Sequence, residues 1–334
     1  MPHPVNRLGR SLIDLRRRAT LFAADTFFES ISRAGRLHPL AAPERHGIEV
    51  VGDVAYADTG KKAHLLDVWR PRAASAPRPC VLYVHGGGFR ILSKDSHWIM
   101  ALMFARAGYV VFNVNYRLAP KYPFPDGLED VCAAARWVAE HAAEYGADPT
   151  KLVFAGESAG ANLVTALTLA TSYVRPEPWA RAVFDAGVTP AAVLPACGLL
   201  QVSEPERFLR RWPHMATMAH DQLVIISEEY LSRRDDLPSL DLADPLVALE
   251  RGAPPDRPLP PFFVSCGTWD PLLDDARRLA RALEALGAPC ELRVYPREPH
   301  AFHAFVMTKN ARRCWRDTFH FLDAQLGTVR AATG

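Results

Sequence analysis

The chain has 334 residues, of which 49% are hydrophobic and 23% are charged, a composition that excludes disordered and fibrous proteins and predicts a substantial core. Its 39 Lys and Arg residues against 37 Asp and Glu leave a net charge of +2, without the basic excess of a nucleic-acid-binding protein. The six cysteines stand singly, without the paired spacing of a metal site, so we expect buried, reduced thiols and a cytoplasmic location.

The first predicted element is an amphipathic helix over residues 7–32, in which Leu8, Leu12 and Leu15 recur at helical spacing between arginines. Such a helix could lie on a membrane surface, but we favour packing of its apolar face on the protein itself. The chain contains no apolar run near the ~18 residues of a membrane span, and no signal peptide is evident. We therefore expect no stable membrane insertion.

From Ile48 onward, short apolar runs alternate with helical patterns, which predicts an α/β fold with a mostly parallel eight-stranded sheet and helices on both faces. The predicted strands are Glu49–Ala57, Leu65–Trp69, Val81–His85, Val110–Val114, Leu152–Ala155, Ala192–Ala196, Phe262–Cys266 and Leu292–Tyr295. The predicted helices are Asp126–Ala143, Ala159–Ser172, Asp274–Leu286 and one within Phe302–Leu326. Asp126 and Glu129 have the spacing of a capping box. The proline-rich stretches Arg70–Pro79 and Gly252–Pro261 are predicted to be surface connections.

The alternation is interrupted between Gly198 and Pro245 by mostly helical sequence. An insertion of this size between strands is typically a lid or subdomain over an active site. We therefore divide the chain into N-terminal cap helices (1–45), the first part of the core (46–197), a cap insertion (198–245) and the second part of the core (246–334).

The strongest chemical signal is Gly156-Glu157-Ser158-Ala159-Gly160, which follows a predicted strand and opens a predicted helix. A tight turn in this position lifts a serine hydroxyl clear of the backbone, and the flanking glycines allow neighbouring chains to approach. The amide of Ala159, at the helix N-terminus, would face a developing negative charge. The pattern predicts Ser158 as a nucleophile.

A second signal is His85-Gly86-Gly87-Gly88-Phe89, at the end of the third predicted strand. It lacks the Lys and Ser/Thr of a P-loop and the spacing of a dinucleotide-binding loop. Three consecutive glycines after a strand suit backbone amides that turn toward one oxygen. We therefore expect an oxyanion hole formed by amides drawn from Gly86, Gly87, Gly88 and Ala159.

A serine nucleophile needs a base, because its hydroxyl is barely ionised at neutral pH. Three of the twelve histidines follow the last predicted strand, namely His300, His303 and His320. His300 stands in the loop before the final helix and is the base that we favour. His303 is one helical turn further and is expected to pack on that helix.

The base in turn needs a carboxylate to hold its tautomer. Asp270 follows the predicted strand Phe262–Cys266 after a short loop, whereas Asp244 has no strand before it. Asp274 and Asp275 look like the start of a helix, where carboxylates interact favourably with the dipole. Asp270 is therefore the predicted acid, and the chain order is nucleophile, acid, base, each at the carboxyl end of a strand.

Together these segments resemble the hormone-sensitive-lipase family of α/β-hydrolase esterases, the bacterial family IV carboxylesterases. The likeness is carried, in the family's order, by His85–Phe89, Tyr116-Arg117-Leu118-Ala119-Pro120 with Phe124-Pro125, Gly156–Gly160, and Asp270-Pro271-Leu272 with His300-Ala301-Phe302. The chain departs from the family in two places, where Glu157 replaces the commoner Asp and Ala301 replaces the commoner Gly.

The resemblance implies an α/β-hydrolase fold with a helical cap, no metal or organic cofactor, and a catalytic triad of Ser158, Asp270 and His300. It implies hydrolysis of short- to medium-chain carboxylic esters through an acyl-enzyme, so the expected partner is a small-molecule acyl ester. Whether the protein forms a homodimer is left open. An amidase, arylformamidase or lactonase with the same triad is the first alternative, and a non-catalytic ligand receptor is a more remote one.

Overall fold

The computed structural model describes residues 32–72 and 76–327, together with residues 26 and 30. Nearly all of the predicted amphipathic helix at 7–32 lies outside the described residues. The described chain begins with the end of a helical segment at residues 32–36 and two short 3-10 turns, Pro39–Ala41 and Pro43–His46, which lead into the first strand.

An eight-stranded sheet forms the centre of the described structure, in the order β1-β2-β4-β3-β5-β6-β7-β8. Strand β2 runs antiparallel to both of its neighbours, and the remaining pairs are parallel. The strands are β1 (Ile48–Ala55), β2 (Leu65–Pro71), β3 (Arg78–Val84), β4 (Val110–Val114), β5 (Ala147–Glu157), β6 (Ala192–Ala196), β7 (Phe262–Gly267) and β8 (Cys290–Tyr295). The prediction of a mostly parallel eight-stranded sheet is confirmed.

Helices cover both faces of this sheet. The helices after residue 90 are α1 (Trp98–Arg106), α2 (Asp126–His141), α3 (Ala159–Ser172), α4 (Pro178–Asp185), α5 (Arg207–Arg211), α6 (Thr217–Tyr230), α7 (Pro245–Glu250), α8 (Leu273–Ala285) and α9 (Lys309–Leu326). The four predicted helices appear as α2, α3, α8 and α9. Helix α1 was not predicted, because it is apolar on nearly every side and therefore shows no 3.6-residue period.

The side chains of the strands alternate between two separate apolar cores. On one face, Leu82 and its neighbours pack against α2, α3 and α8, in a core that includes Leu128 and Leu163. On the other face, Val81 and its neighbours pack against α1 and α9, in a core that includes Phe104 and Trp315. Burial on both faces explains why the central strands β4 and β7 are buried at every position and mostly apolar, rather than apolar at alternate positions.

Two local predictions are wrong. The stretch Arg70–Pro79 is only partly a connection, since β2 continues to Pro71 and β3 begins at Arg78. Prolines are tolerated at these strand ends because the backbone N–H that proline lacks is not needed there for pairing in the sheet. The predicted capping box does not form either. Helix α2 begins after Pro125 without a side-chain cap, and Asp126 and Glu129 accept hydrogen bonds from Arg117 instead.

The insertion at 198–245 contains α5 and α6, and its assignment as a cap stays a prediction. All six cysteines are free thiols, and five of them are buried, while Cys290 is half-buried. Among the described helices, none is both long and apolar enough to cross a membrane.

Candidate active site

Ser158 lies in the sharp turn between β5 and α3. Its φ of 54° and ψ of −116° fall in a region that side chains rarely adopt, a strain of order 1–3 kcal/mol that persists only when the surroundings hold it. Its N–H donates to the carbonyl of Ala196 at 3.0 Å, and its carbonyl accepts from the N–H of Leu199 at 3.2 Å. The turn is therefore fastened to the segment that follows β6.

The glycines around this turn are required by close approach of the backbone. A Cβ added at Gly160 would lie 2.0 Å from the carbonyl oxygen of Val84, so only glycine lets α3 start against the end of β3. A Cβ added at Gly86 would lie 3.3 Å from the Cβ of Ser158. The loop after β3 therefore passes directly beside the Ser158 side chain.

The predicted oxyanion loop presents unused amides. Among the residues that the structure describes, no hydrogen bond to a protein acceptor uses the N–H groups of Gly86, Gly87, Gly88 or Ala159. Gly88 has a φ of 58°, which favours glycine. The four amides are thus available to an oxygen on a substrate, which is what an oxyanion hole requires.

Tyr116, the first residue of the Tyr-Arg-Leu-Ala-Pro segment, supports this loop from behind. Its ring stacks on the His85 ring with centroids 4.4 Å apart, and its hydroxyl donates to the His85 carbonyl at 2.9 Å. Arg117 forms ion pairs with the carboxylates of Asp126, Glu129 and Asp130. The sequence alone predicted no chemical role for this segment. In the structure, its contacts hold the neighbouring loop and helix α2 in place.

Asp270 and His300 are brought together at the carboxyl ends of β7 and β8. His300 Nδ1 lies 2.9 Å from Asp270 Oδ2, and the other carboxylate oxygen accepts the N–H of Leu272 at 2.8 Å. Asp270 is fully buried, while the His300 side chain is 36% exposed. With Nδ1–H donating to Asp270, Nε2 is left to accept a proton from a nucleophile.

The charge of Asp270 governs the titration of His300. Burial of the imidazole lowers its pKa, but the adjacent carboxylate raises it by more, so the pKa of His300 lies well above its ordinary value. Cys197 also contacts the ring and adds to this rise in the pKa of His300. Asp270 is the larger of the two influences that favour the imidazolium.

Ser158 and His300 both contact the segment at the end of β6. Ala196 accepts from the Ser158 N–H, and the next residue, Cys197, contacts His300. Within the described residues, the Ser158 hydroxyl makes no hydrogen bond to His300. Catalytic hydrogen bonds are often long without substrate and tighten in the Michaelis complex, so the assignment of the triad stays a prediction.

A comparison with known protein families finds one that this chain matches. A family model described as the alpha/beta hydrolase fold matches residues 81–304, about two thirds of the chain. The chain belongs to the α/β-hydrolase fold family.

Solved structures that resemble this α/β-hydrolase include esterases. Esterase LipW from Mycobacterium marinum is 26% identical, with a TM-score of 0.68 over 95% of this chain and 88% of that one. An esterase from the bacterial hormone-sensitive lipase family is 25% identical, with a TM-score of 0.68 over 94% and 97%. A bacterial heroin esterase, 24% identical with a TM-score of 0.75 over 94% and 93%, shows the shared fold alone. The resemblance to hormone-sensitive-lipase-like esterases that the motifs predict is confirmed.

The rival acids and bases of this α/β-hydrolase have other partners. His303 donates from Nε2 to Glu157 at 3.1 Å, and His320 is exposed on α9. Asp244 accepts backbone N–H groups of residues 202 and 203. Asp275 is buried against an arginine of α5, and Asp274 faces another arginine of α5.

A buried carboxylate next to Ser158 is the main feature that sequence reasoning missed. Glu157 accepts from the Tyr83 hydroxyl at 2.7 Å and is flanked by His97 and His303. Burial raises the pKa of Glu157, but the two imidazoles lower it by more, so it lies well below its ordinary value. Because the partners come from three distant parts of the chain, no local pattern could have revealed this cluster.

Proposed function

We propose that this α/β-hydrolase is a serine esterase that cleaves short- to medium-chain carboxylic esters through an acyl-enzyme on Ser158. The observation that carries the proposal is the hydrogen bond between the buried Asp270 and His300, at the same edge of the sheet as the strained turn of Ser158. Membership of the family, together with similar structures named as esterases, supports an esterase-type hydrolase.

In the first step of the proposed mechanism, His300 Nε2 takes the proton of the Ser158 hydroxyl as the oxygen attacks the ester carbonyl. Asp270 holds the ring in the tautomer with Nδ1 protonated and stabilises the imidazolium. The carbonyl oxygen of the substrate gains a negative charge, which the amides of Gly87, Gly88 and Ala159 receive as hydrogen-bond donors.

The tetrahedral adduct then collapses, and the bond to the alcohol oxygen breaks as the His300 imidazolium gives its proton to that oxygen. A water molecule attacks the resulting acyl-enzyme while His300 again acts as the base. The carboxylic acid leaves when the bond to Ser158 breaks and the serine oxygen regains a proton.

The proposed preference for shorter acyl chains is supported by the contact between α6 and the oxyanion loop. A Cβ added at Gly88 would lie 2.7 Å from Cδ1 of Ile226, so this side chain rests on the loop itself. Beside it, Phe89 stacks on Tyr230 with ring centroids 3.8 Å apart. We infer that apolar cover this close to the predicted oxyanion hole disfavours a long acyl chain.

Replacement of the nucleophile tests the mechanism. In Ser158→Ala we expect kcat/KM for p-nitrophenyl butyrate to fall by at least about 10⁴-fold, because loss of a triad serine removes the covalent step. Ser172→Ala, a buried serine at the end of the same helix, is the matched control and should retain activity.

Full activity of Ser158→Ala would reject the mechanism, as would labelling of another residue by a fluorophosphonate. Substrate class is tested by parallel assays of the wild type on esters of increasing acyl length, a formamide and a lactone. Faster turnover of the formamide or the lactone than of any ester would reject the esterase assignment.

A further inference from the structure

A third side chain lies beside Asp270 and His300 and has no part in the proposed mechanism. The Sγ of Cys197, one carboxylate oxygen of Asp270 and one ring nitrogen of His300 all lie within 4.8 Å of one another. Cys197 is 1% exposed and follows β6 directly, and its N–H donates to the carbonyl of Ser265 on the neighbouring strand at 2.7 Å. Its place in the cluster is therefore set by the sheet.

These three atoms are close to the spacing that a tetrahedral metal imposes. Zn–S bonds of about 2.3 Å and Zn–N or Zn–O bonds of about 2.0–2.2 Å hold neighbouring ligand atoms roughly 3.3–3.6 Å apart. The Asp270 and His300 atoms are already 2.9 Å apart. A shift of about 1 Å by the thiol or by the ring would therefore bring these atoms to the spacing of three of the four ligands of a tetrahedral metal.

The kinds of ligand define the kind of cation. A thiolate, an imidazole and a carboxylate together suit borderline and soft ions such as Zn²⁺ and Cd²⁺, whereas Mg²⁺ and Ca²⁺ prefer sites made of oxygen alone. Cys197 and Asp270 are buried, but the His300 side chain is 36% exposed, so an ion has access from the side of the imidazole. The fourth position is left to water.

We propose that Cys197, Asp270 and His300 form a binding site for a divalent cation of the Zn²⁺ or Cd²⁺ class, and that occupancy of this site inhibits the enzyme. On binding, Cys197 releases its thiol proton to solvent, the Nδ1 proton of His300 moves to Nε2 through solvent, and the metal takes Nδ1 of His300 and an oxygen of Asp270. The hydrogen bond between these two residues is then replaced by coordination, so the imidazole cannot serve as a base. The inhibition rests on the proposed function, whereas the binding does not.

Binding is tested without catalysis, on the Ser158→Ala protein titrated with Cd²⁺. We expect an ultraviolet charge-transfer band from the thiolate to Cd²⁺ that saturates at one equivalent. The band should disappear in the additional variants Cys197→Ala and Cys197→Ser, and persist in Cys290→Ser. Cys290 is the matched control because it is the one cysteine of the described structure that is only half-buried, and unspecific metal binding would reach it first.

Inhibition is tested on the protein with an intact Ser158, as the Zn²⁺ concentration that halves each variant's own rate. Even outer-shell changes cost 10–100-fold in metal affinity, so loss of the thiol in Cys197→Ala should raise this concentration by at least about 100-fold. Cys290→Ser should match the wild type, and a chelator should restore activity. If Cys197→Ala is poorly folded, Cys197→Ser, which keeps the volume, supplies the comparison.

Equal Zn²⁺ sensitivity of the wild type and the Cys197 variants would overturn the proposal, as would a Cd²⁺ band that survives loss of Cys197. The two proposals can fail separately. A Cd²⁺ band that depends on Cys197, in a protein without esterase activity, would uphold the metal site and reject the proposed function.

Discussion

At the scale of single residues, the site depends on where charge is buried. The Asp270 carboxylate is fully enclosed, with one oxygen bound to a backbone N–H and the other to His300. Its charge is poorly screened there, so it acts strongly on the imidazole. Glu157 repeats this arrangement one residue before Ser158, with two histidines and a tyrosine around its carboxylate. The backbone of Ser158 is thereby anchored on its N-terminal side.

The raised pKa of His300 has a consequence for the pH dependence of the enzyme. A protonated imidazole cannot accept the Ser158 proton, so kcat/KM should rise as His300 deprotonates. Because Asp270 raises the pKa by more than burial lowers it, we expect the midpoint of this rise above 6.5, the ordinary value. The measurement is kcat/KM for a neutral ester over the acid and neutral range, and a midpoint at or below 6.5 would contradict the assignment.

A second measurement separates the effect of the Asp270 charge on the His300 pKa from the effect of burial. In Asp270→Asn the carboxylate charge is lost and burial remains, so the titration midpoint of His300 followed by NMR should move down in pH.

The raised pKa of His300 also determines how the free energy of unfolding changes with pH. A raised pKa means that the imidazolium stabilises the folded state below pH 6.5, and that this contribution is lost as pH rises through the folded pKa.

At the scale of elements, α6 and the oxyanion loop form one packed unit. Three consecutive residues of the loop each meet a residue of α6: Gly88 meets Ile226, Phe89 meets Tyr230, and Arg90 forms an ion pair with Glu229. The carbonyl of Tyr230 also accepts the N–H of Phe124. A change in the position of α6 should therefore also shift the amides of the predicted oxyanion hole.

Tyr230 tests this coupling with a matched pair of substitutions. Its ring is stacked and buried, while its hydroxyl has no hydrogen-bond partner among the described residues. Tyr230→Phe should be neutral or slightly stabilising, because it removes an unpaired buried polar group. Tyr230→Ala should cost about 3–5 kcal/mol, the usual range for loss of a buried aromatic ring. Urea unfolding gives both values.

The same two variants should separate in activity. If α6 positions the loop, kcat should fall in Tyr230→Ala, measured well below its melting temperature, and stay near that of the wild type in Tyr230→Phe. Equal kcat values for the two variants would mean that the loop holds its position without α6.

At the scale of the whole molecule, the insertion is joined to the second half of the core by a buried ion pair. Arg207 of α5 donates to Asp275 of α8 at 2.8 Å, and Asp275 is fully buried. The carboxylate also accepts the N–H of Leu200 at 3.0 Å. Burial raises the pKa of Asp275 by more than Arg207 lowers it, so without its arginine this acid would be costly to keep charged.

Arg207→Ala should therefore destabilise the protein by about 3–5 kcal/mol, since it leaves the buried Asp275 charge without its closest partner and with only the distant Arg278, at 3.9 Å. Arg210→Ala is the control. Arg210 lies on the same helix, but its side chain is 64% exposed and its ion pair is long, at 3.7 Å, so its loss should change stability by less than about 0.5 kcal/mol. Thermal and urea unfolding of both variants measure the difference. A small effect of Arg207→Ala would show that the insertion is held by its apolar contacts alone.

Much of this architecture was open to prediction because its signals are local. Strand periods, the turn around Ser158 and the glycines after β3 follow from hydrogen bonds and steric limits between residues a few positions apart. The positions of Asp270 and His300 after their strands were predictable for the same reason, since parallel strands present their carboxyl ends at one edge. Helix α1 was missed because a helix buried on nearly all sides carries no amphipathic period.

Sequence by itself thus determined which residues enter strands and helices, and which side chains stand at the chemical edge of the sheet. Tertiary structure alone decided that Glu157 is enclosed by residues sixty or more positions away, that α6 lies on Gly88, and that the Cys197 thiol reaches His300. The physical reason is that these contacts arise from the order in which strands pair and from how closely the layers pack. Neither leaves a trace in the spacing of neighbouring residues.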